Sequence, residues 1–416
     1  MPEIARFNRI SRWIASLWLL TALPLSFLVR PTYQDFQAFY SAGITMRLGE
    51  WEALYPERDL SSPYFIYSGF HWKPRQLELA KTHGYDAVEP FLQPPWTAVA
   101  FVPLAMLPYP LAHAIWVGIL ISCAIALVWM AGEIASICSS NPTRWVGGIM
   151  LISAFSPLLY RGVRVGNVSV IVAAAMGYSA LSLCRRRPLG AAAGMVVGGS
   201  LKYATAALGP LLLAMRQWRT LLTLLLAGTG IVLATTAWSG TAPLSDFFHT
   251  VAATFPGSTP LRQNQSIWGL LLRLSGSAPL AASVVWIVRA VQVGLLALLI
   301  FPMFRSFPRE GNASPKIFAA SAGLVAWLLI FSPVFWEHYA TYFIPFWGWV
   351  IIEARGVTYR RLIAVGVIAL SWMPTPALLG LPLREPVNSL MLVSACMMFW
   401  LSTWRLFQRP LLKGLT

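Results

Sequence analysis

Long apolar runs separated by short polar loops recur from one end of the chain to the other. The first run extends from about Trp13 to Val29 and is long enough to cross most of a bilayer as a helix. Because lipid offers the backbone no hydrogen-bond partners, this pattern predicts a bundle of membrane-spanning helices. Further spans are predicted near residues 111–132, 145–160, 166–184, 189–201, 204–215, 218–237, 282–303, 316–333, 341–353, 360–376 and 388–405.

Residues 94–108, PPWTAVAFVPLAMLP, are apolar but short and rich in proline. This composition favours a re-entrant or half-length helix over a full crossing. Without that segment, the pattern predicts an all-α polytopic membrane protein with about twelve transmembrane helices. Residues 1–416 are expected to form a single integral membrane domain, with no cleaved signal peptide and no second, soluble domain.

Two large polar loops interrupt the apolar pattern, at residues 31–95 and 238–281. The first holds eight of the 15 acidic residues, interleaved with aromatic ones. Aromatic and polar side chains in alternation are typical of helices that lie on a lipid surface. We therefore expect interfacial helices in the first of these loops.

The net charge of +16 suggests a nucleic-acid partner until the charges are placed along the chain. The basic clusters fall in short loops, at Arg6, Arg9 and Arg12, at 185–187, at Arg216 and Arg219, at 355–361, and at 405–413. Such loops are cytoplasmic by the positive-inside rule, so the charges indicate topology and no nucleic-acid partner is expected. Both chain ends are then predicted inside, and both large loops outside.

Most of the polar side chains that do not belong to the cytoplasmic basic clusters fall on the predicted outer face of the membrane. Asp35, in DFQAFYSAG, opens the first loop directly after the first span. One interpretation is a solvated residue or a helix N-cap. The other is a general base that takes a proton from an acceptor hydroxyl as it attacks a sugar carbon, with nearby aromatic rings stacking on the sugar.

Basic and amide side chains are expected on the same face. Lys202 stands where two short apolar segments meet, so it is either a functional cation or a lysine that extends to the interface. Arg164 and Asn167, in RVGN, are candidates of the same kind. Preorganised cations there would stabilise a phosphate leaving group without a metal.

Two further strings complete the predicted site. The segment LRQNQSIWGLLLRL offers Arg262, Asn264, Gln265 and Ser266, which either bind sugar hydroxyls and phosphate or cap a helix. Glu337 and His338, in SPVFWEHY, either contact substrate or anchor the chain at the membrane boundary. The four cysteines lack metal-site spacing, and neither a metal nor another cofactor is expected.

Taken in order, these strings resemble glycosyltransferase family 87. The matching strings are DFQAFYSAG, PPWTAVAFVPLAMLP, a Gly-Asn string, SLKYATAALGPLLL, NQSIWGLLLRL and SPVFWEHY. The resemblance implies a C-type glycosyltransferase fold and transfer, with inversion, of a sugar, typically mannose, from a polyprenyl-phosphate donor. It implies Asp35 as catalytic base and His338 as a second catalytic residue, in a bacterial inner-membrane protein with an extracytoplasmic active site and a lipid or glycan acceptor.

Other classes of function stay open at the level of sequence. A transporter or flippase for a lipid-linked solute predicts polar residues spread through the middles of spans, together with inverted repeats. A ligase for whole lipid-linked glycans needs room for a long oligosaccharide, and a non-catalytic scaffold needs no site at all.

Overall fold

The computed structural model describes most of the chain as helices. Its described residues are 2–29, 34–58, 70–71, 73–84, 91–139, 145–251, 258–261, 263–307, 314–354, 358–372 and 389–408. The helices are α1 (Pro2–Val29), α2 (Gln34–Leu48), α3 (Pro74–Thr82), α4 (Pro95–Ala105), α5 (Tyr109–Cys138), α6 (Trp145–Ala154), α7 (Pro157–Arg164), α8 (Ser169–Cys184), α9 (Pro188–Leu201), α10 (Gly209–Ala214), α11 (Trp218–Ser239), α12 (Ala242–Asp246), α13 (Ile267–Leu274), α14 (Ala282–Ser306), α15 (Ser314–Phe331), α16 (Ile344–Glu353), α17 (Thr358–Trp372) and α18 (Leu390–Phe407).

Short irregular elements join these helices. The 3₁₀ turns are Trp51–Ala53, Tyr203–Leu208 and Glu337–Phe343, and a π turn covers Phe247–Val251. Two residue pairs, Glu57–Arg58 and Phe70–His71, form a small antiparallel ladder in which Glu57 faces His71. The all-α prediction therefore describes the architecture, apart from this ladder.

Five of the described helical stretches are long and apolar enough to cross a membrane: Tyr109–Cys138, Trp145–Arg164, Trp218–Ser239, Ala282–Ser306 and Leu390–Phe407. Five shorter apolar helices accompany them. The protein is thus an integral membrane protein, and the number of about twelve spans stays a prediction. The stretch 94–108 forms the 11-residue α4, which at about 16 Å is too short to cross the hydrocarbon core.

The helices divide into a buried centre and a lipid-facing periphery. Helix α16 is buried from Ile344 to Val350, and a Cβ on Gly348 would lie 2.1 Å from the Ala131 carbonyl oxygen of α5. A helix that is apolar and enclosed on all sides belongs to the core of the bundle. By contrast, α11 and α14 expose large apolar side chains along most of their length, as helices that face lipid do.

Helix α2 differs from the interfacial helix expected in the first polar loop. Its residues from Ala38 to Met46 are buried, and it packs along α4. A Cβ on Gly43 would lie 2.8 Å from the Phe101 carbonyl oxygen, so the two helices approach closely. The aromatic side chains next to Asp35 pack in an interior cluster, in which Phe36 stacks on Trp116 at 5.8 Å between ring centroids. For the rest of the loop, much of which lies outside the described residues, interfacial helices stay a prediction.

Helix breaks position the functional segments. Pro157 begins α7 after a turn at Phe155 and Ser156, because proline lacks the N–H that would continue α6. Lys202 has extended backbone angles (φ −162°, ψ 130°) between α9 and the next 3₁₀ turn. Each break turns polar side chains into the interior at the end of an apolar helix.

Candidate active site

Asp35 lies in the first turn of α2, where two residues of a loop far along the chain form hydrogen bonds with it. Its N–H donates to the Val165 carbonyl at 3.2 Å, and its carboxylate accepts a hydrogen bond from Asn167 Nδ2 at 2.7 Å. The carboxylate therefore does not simply cap its own helix. Two contacts to one distant loop fix its direction.

The loop that receives Asp35 is a tight turn at Gly166 and Asn167. Gly166 has φ +73°, a conformation that favours glycine, and a Cβ there would lie 2.8 Å from Cβ of Phe36. The Gly166 carbonyl accepts a hydrogen bond from Trp116 Nε1 at 2.9 Å. The glycine thus allows the start of α2 to sit directly against this turn.

The neighbouring Ser169 orients the Asn167 amide. Asn167 Oδ1 accepts hydrogen bonds from the Ser169 N–H at 2.7 Å and from the Ser169 hydroxyl. With its oxygen occupied, the amide presents its NH₂ group to Asp35. Asn167 is 6% exposed, so water competes little for this bond.

Two cations surround the carboxylate. Lys202 is 7% exposed, and its Nζ lies 3.5 Å from the ring centroid of Tyr339. Arg161, on α7, forms an ion pair with the buried Glu337, with 3.3 Å between Nε and Oε2. Both cations act on Asp35 through charge.

Burial and charge oppose each other at Asp35 and Lys202, which lie outside the candidate membrane spans. Burial raises the pKa of Asp35, while the hydrogen bond from Asn167 and the charges of Lys202 and Arg161 lower it. Burial likewise lowers the pKa of Lys202, and the charge of Asp35 opposes that shift. A carboxylate whose pKa moves toward neutrality is suited to taking up a proton. The charge of Asp35 in turn favours the charged form of Lys202.

His338 lies beside the same cations. It is 8% exposed, and within the described part of the chain its Nε2 has no hydrogen-bond partner. Burial, with the charges of Lys202 and Arg161, holds the pKa of His338 well below its usual range. A neutral imidazole with a buried nitrogen available can contact a ligand polar atom.

The structure therefore brings together Asp35, Asn167, Lys202, Glu337 and His338 from four separate stretches of the sequence. It adds Arg161, which the sequence reasoning did not select. The sequence SPLLYRGVR could have indicated Arg161, because it lies one helical turn before the candidate Arg164 on α7. In the structure the ion pair with Glu337 identifies Arg161 as part of the site. Arg164 is half-buried at the end of α7, and Arg262 lies outside the described residues.

The segment Asn264–Ser266 has contacts that join two loops of the protein to each other. Asn264 is fully buried: its Oδ1 accepts from the Phe335 N–H at 2.9 Å, and its Nδ2 donates to the Ser258 hydroxyl and the Thr259 and Pro333 carbonyls. Ser266 caps α13 by accepting from the Gly269 N–H at 3.1 Å. These bonds hold the loop beside the segment that carries Glu337 and His338, while Gln265 N–H donates to Phe335 O at 2.7 Å.

We expect Asn264→Ala to destabilise the fold. The substitution removes the oxygen that accepts from the buried Phe335 and Ser266 N–H groups and the donor to the Thr259 carbonyl, at a cost of about 3 kcal/mol. Thermal unfolding followed by tryptophan fluorescence should show a clearly lower Tm, while Gln263→Ala, on the partly exposed neighbour, should change it little. A Tm equal to that of the wild type would contradict this structural role of Asn264.

Among the described residues, no group of three or more His, Cys, Asp or Glu side chains is arranged to hold a metal ion. The charged groups near Asp35 are instead two cations and one paired acid. Cations of this kind can neutralise a phosphate oxygen, and a carboxylate can accept a proton.

Comparison with known proteins places this arrangement in a family. In an alignment of 312 residues that covers 68% of this chain and 68% of the relative, the chain is 27% identical to a polyprenol-phosphate-mannose-dependent alpha-(1-2)-phosphatidylinositol mannoside mannosyltransferase of Mycolicibacterium smegmatis. No solved structure matches the chain. The model of glycosyltransferase family 87 matches residues 91–333, a range that includes Arg161, Asn167 and Lys202. The match covers more than half of the sequence, and the chain therefore belongs to glycosyltransferase family 87.

Proposed function

We propose that this glycosyltransferase transfers mannose from a polyprenyl-phosphate donor to a hydroxyl of a lipid or glycan acceptor, with inversion at the anomeric carbon. The polyprenol-phosphate-mannose dependence of the relative in Mycolicibacterium smegmatis supports this donor. The observation that carries the proposal is the position of Asp35: Asn167 orients its carboxylate, and Lys202 and Arg161 act on it through charge. His338 lies near the same two cations.

In the proposed reaction Asp35 is the general base. Its carboxylate takes the proton of the acceptor hydroxyl while that oxygen forms a bond to the anomeric carbon. The bond from this carbon to the phosphate oxygen breaks on the opposite face, so a β-linked donor gives an α-linked product. The electron pair of the broken bond leaves with polyprenyl phosphate.

The departing phosphate gains negative charge as its bond to the sugar breaks. Lys202 is held over the Tyr339 ring and Arg161 is paired with Glu337 before substrate arrives, and both act on the base through charge. Because they are preorganised in a buried site, they stabilise this charge better than mobile solvent does. His338 Nε2 adds a polar contact for the donor, and Glu337 holds Arg161 in place.

The proposed site opens to the extracytoplasmic side of the cell membrane. Arg185, Arg186 and Arg187 follow α8, and Arg216 and Arg219 flank the start of α11. Between these two clusters the chain passes through Lys202. By the positive-inside rule both arginine clusters are expected to be cytoplasmic, which supports a position of Lys202 and Asp35 toward the opposite side.

A transfer assay tests the proposed function. Purified protein in liposomes should move radiolabelled mannose from polyprenyl-phosphate mannose to a membrane-derived acceptor and release polyprenyl phosphate. GDP-mannose should not replace the donor, and NMR of the product should show an α linkage. Transfer from GDP-mannose or a β-linked product would contradict the proposal, and movement of the intact donor across the bilayer without transfer would favour a flippase.

The hydrogen bond from Asn167 should set the pH dependence of transfer. Asp35 acts as a base only when ionised, so kcat/KM falls as pH drops through its pKa. The Asn167 bond lowers that pKa, so Asn167→Ala should move the acidic limb of the pH profile to higher pH. Ser169→Ala is the control: the Ser169 N–H still holds Asn167, so the bond to Asp35 remains and the acidic limb should stay where it is in the wild type. If the acidic limb lies at the same pH in the wild type and both variants, Asn167 does not set the pKa of the base.

A further inference from the structure

A lipid-facing groove lies away from the proposed active site. It runs between α5, α8 and α9 and has a volume of about 560 Å³, within the range of small-ligand sites. Two aromatic residues, Trp129 and Tyr178, line its sides. Between them lie small residues that leave the groove open: Ala126, Ala174, Ala193 and Gly194. The groove is therefore a feature of side-chain size along three packed helices.

The groove cannot close by a simple shift of the helices. A Cβ on Gly194 would lie 2.4 Å from the Ser179 hydroxyl oxygen, so α8 and α9 are already in close contact. Trp129 and Tyr178 are 41% and 48% exposed, respectively, and thus face the surroundings of the protein. Because α5 is long and apolar enough to span the membrane, those surroundings are lipid.

The length of the groove matches one leaflet. Its apolar wall on α8 runs from Ile171 to Leu181, a rise of about 15 Å in a helix. Half of a hydrocarbon core of about 30 Å is the same length. A single acyl chain of one leaflet would fill the groove from its mouth to the membrane midplane.

The mouth of the groove is charged, and its net charge is positive. Arg12, Glu133 and Arg185 line it. Arg185 pairs with Glu133, and the Arg12 guanidinium lies 5.4 Å from the ring centroid of Trp129. One acid is thus opposed by two arginines, and Arg186 and Arg187 follow directly.

We propose that this groove binds an anionic phospholipid of the leaflet on the arginine side, with its phosphate at Arg12 and Arg185 and one acyl chain along α8. Clusters of arginine beside an apolar cleft between membrane helices are suited to anionic head groups. The site is distinct from the one around Asp35. It does not depend on the proposed sugar transfer.

Lipid retention measured by native mass spectrometry tests this site. The full chain is reconstituted in vesicles with equal amounts of phosphatidylglycerol and phosphatidylcholine and then released into mild detergent. The wild type should retain phosphatidylglycerol preferentially. The Arg12→Gln/Arg185→Gln variant should lose that preference by roughly tenfold or more, since each arginine near an anionic surface contributes about a factor of five.

Two controls keep the result specific. Arg219→Gln removes an exposed arginine at the start of α11, away from the groove, and should leave the preference intact. Ala126→Phe fills the groove and should lower retention of both lipids. Unchanged preference in the double variant, or no preference in the wild type, would overturn the assignment. The Tm of the double variant reports separately on folding.

Discussion

Asp35→Asn should reduce kcat for sugar transfer by about 100- to 10,000-fold, the range that a positioned general base contributes. The asparagine side chain has nearly the shape of aspartate and can still accept the hydrogen bond from Asn167 Nδ2. It cannot take up the acceptor proton. Initial rates with saturating polyprenyl-phosphate mannose measure the effect directly.

The same variant should fold as well as the parent. Burial works against the ionised form of Asp35, so removing its charge relieves a cost, and Tm should be equal or higher. Asp246→Asn, the other aspartate of the described residues, is the matched control and should keep nearly full activity. A wild-type rate in Asp35→Asn would rule out the base assignment, and a large fall in Tm would mean that the carboxylate supports the fold.

Lys202→Met should lower kcat/KM for the donor by about 100- to 1,000-fold, the usual effect of removing one preorganised contact to developing charge. Methionine fills similar space over the Tyr339 ring but carries no charge. Because an ammonium group is costly to bury, the variant should be at least as stable as the parent. Comparing kcat/KM with Tm separates a catalytic cation from a structural one.

A second buried lysine provides the control for this variant. Lys316, in the first turn of α15, is 6% exposed and lies near the Ser306 hydroxyl. Lys316→Met should leave kcat/KM for the donor nearly unchanged. If Lys202→Met keeps full activity, Arg161 alone holds the phosphate; the proposed role of Lys202 would then be wrong.

Sequence patterns predicted individual residues of the candidate site better than they predicted which residues pair with each other. Asp35, Lys202 and His338 each stood out as polar groups at the ends of apolar runs, and the structure places them together. Arg161 did not stand out, because one arginine among several near a helix end has no periodic signature. Its partner Glu337 is more than 170 residues away, and such a pairing exists only in the folded chain.

Helix α2 shows that aromatic composition alone does not identify the surroundings of a helix. Alternating aromatic and charged residues are equally compatible with a lipid surface and with a packed interior. Which one occurs depends on the partner, and here α4 and Trp116 of α5 enclose Phe36. The resulting contact with Gly166 is what fixes Asp35, so the packing of α2 is part of the site.

Asn264 is a second case in which one pattern fits two roles. A dense run of amide and hydroxyl side chains predicts binding of sugar hydroxyls as readily as it predicts loop closure. The structure satisfies the Asn264 amide with partners from its own loop and from the Pro333–Phe335 stretch. Hydrogen-bond capacity is readable from sequence, but the identity of the partner is not.

The most direct test of the central claim is a single-turnover experiment on Asp35→Asn. Labelled polyprenyl-phosphate mannose is bound first, its affinity is measured, and excess acceptor is then added. The proposed role of Asp35 predicts wild-type donor affinity and a transfer step slower by a factor of at least about 100. Transfer from bound donor at the wild-type rate would contradict it.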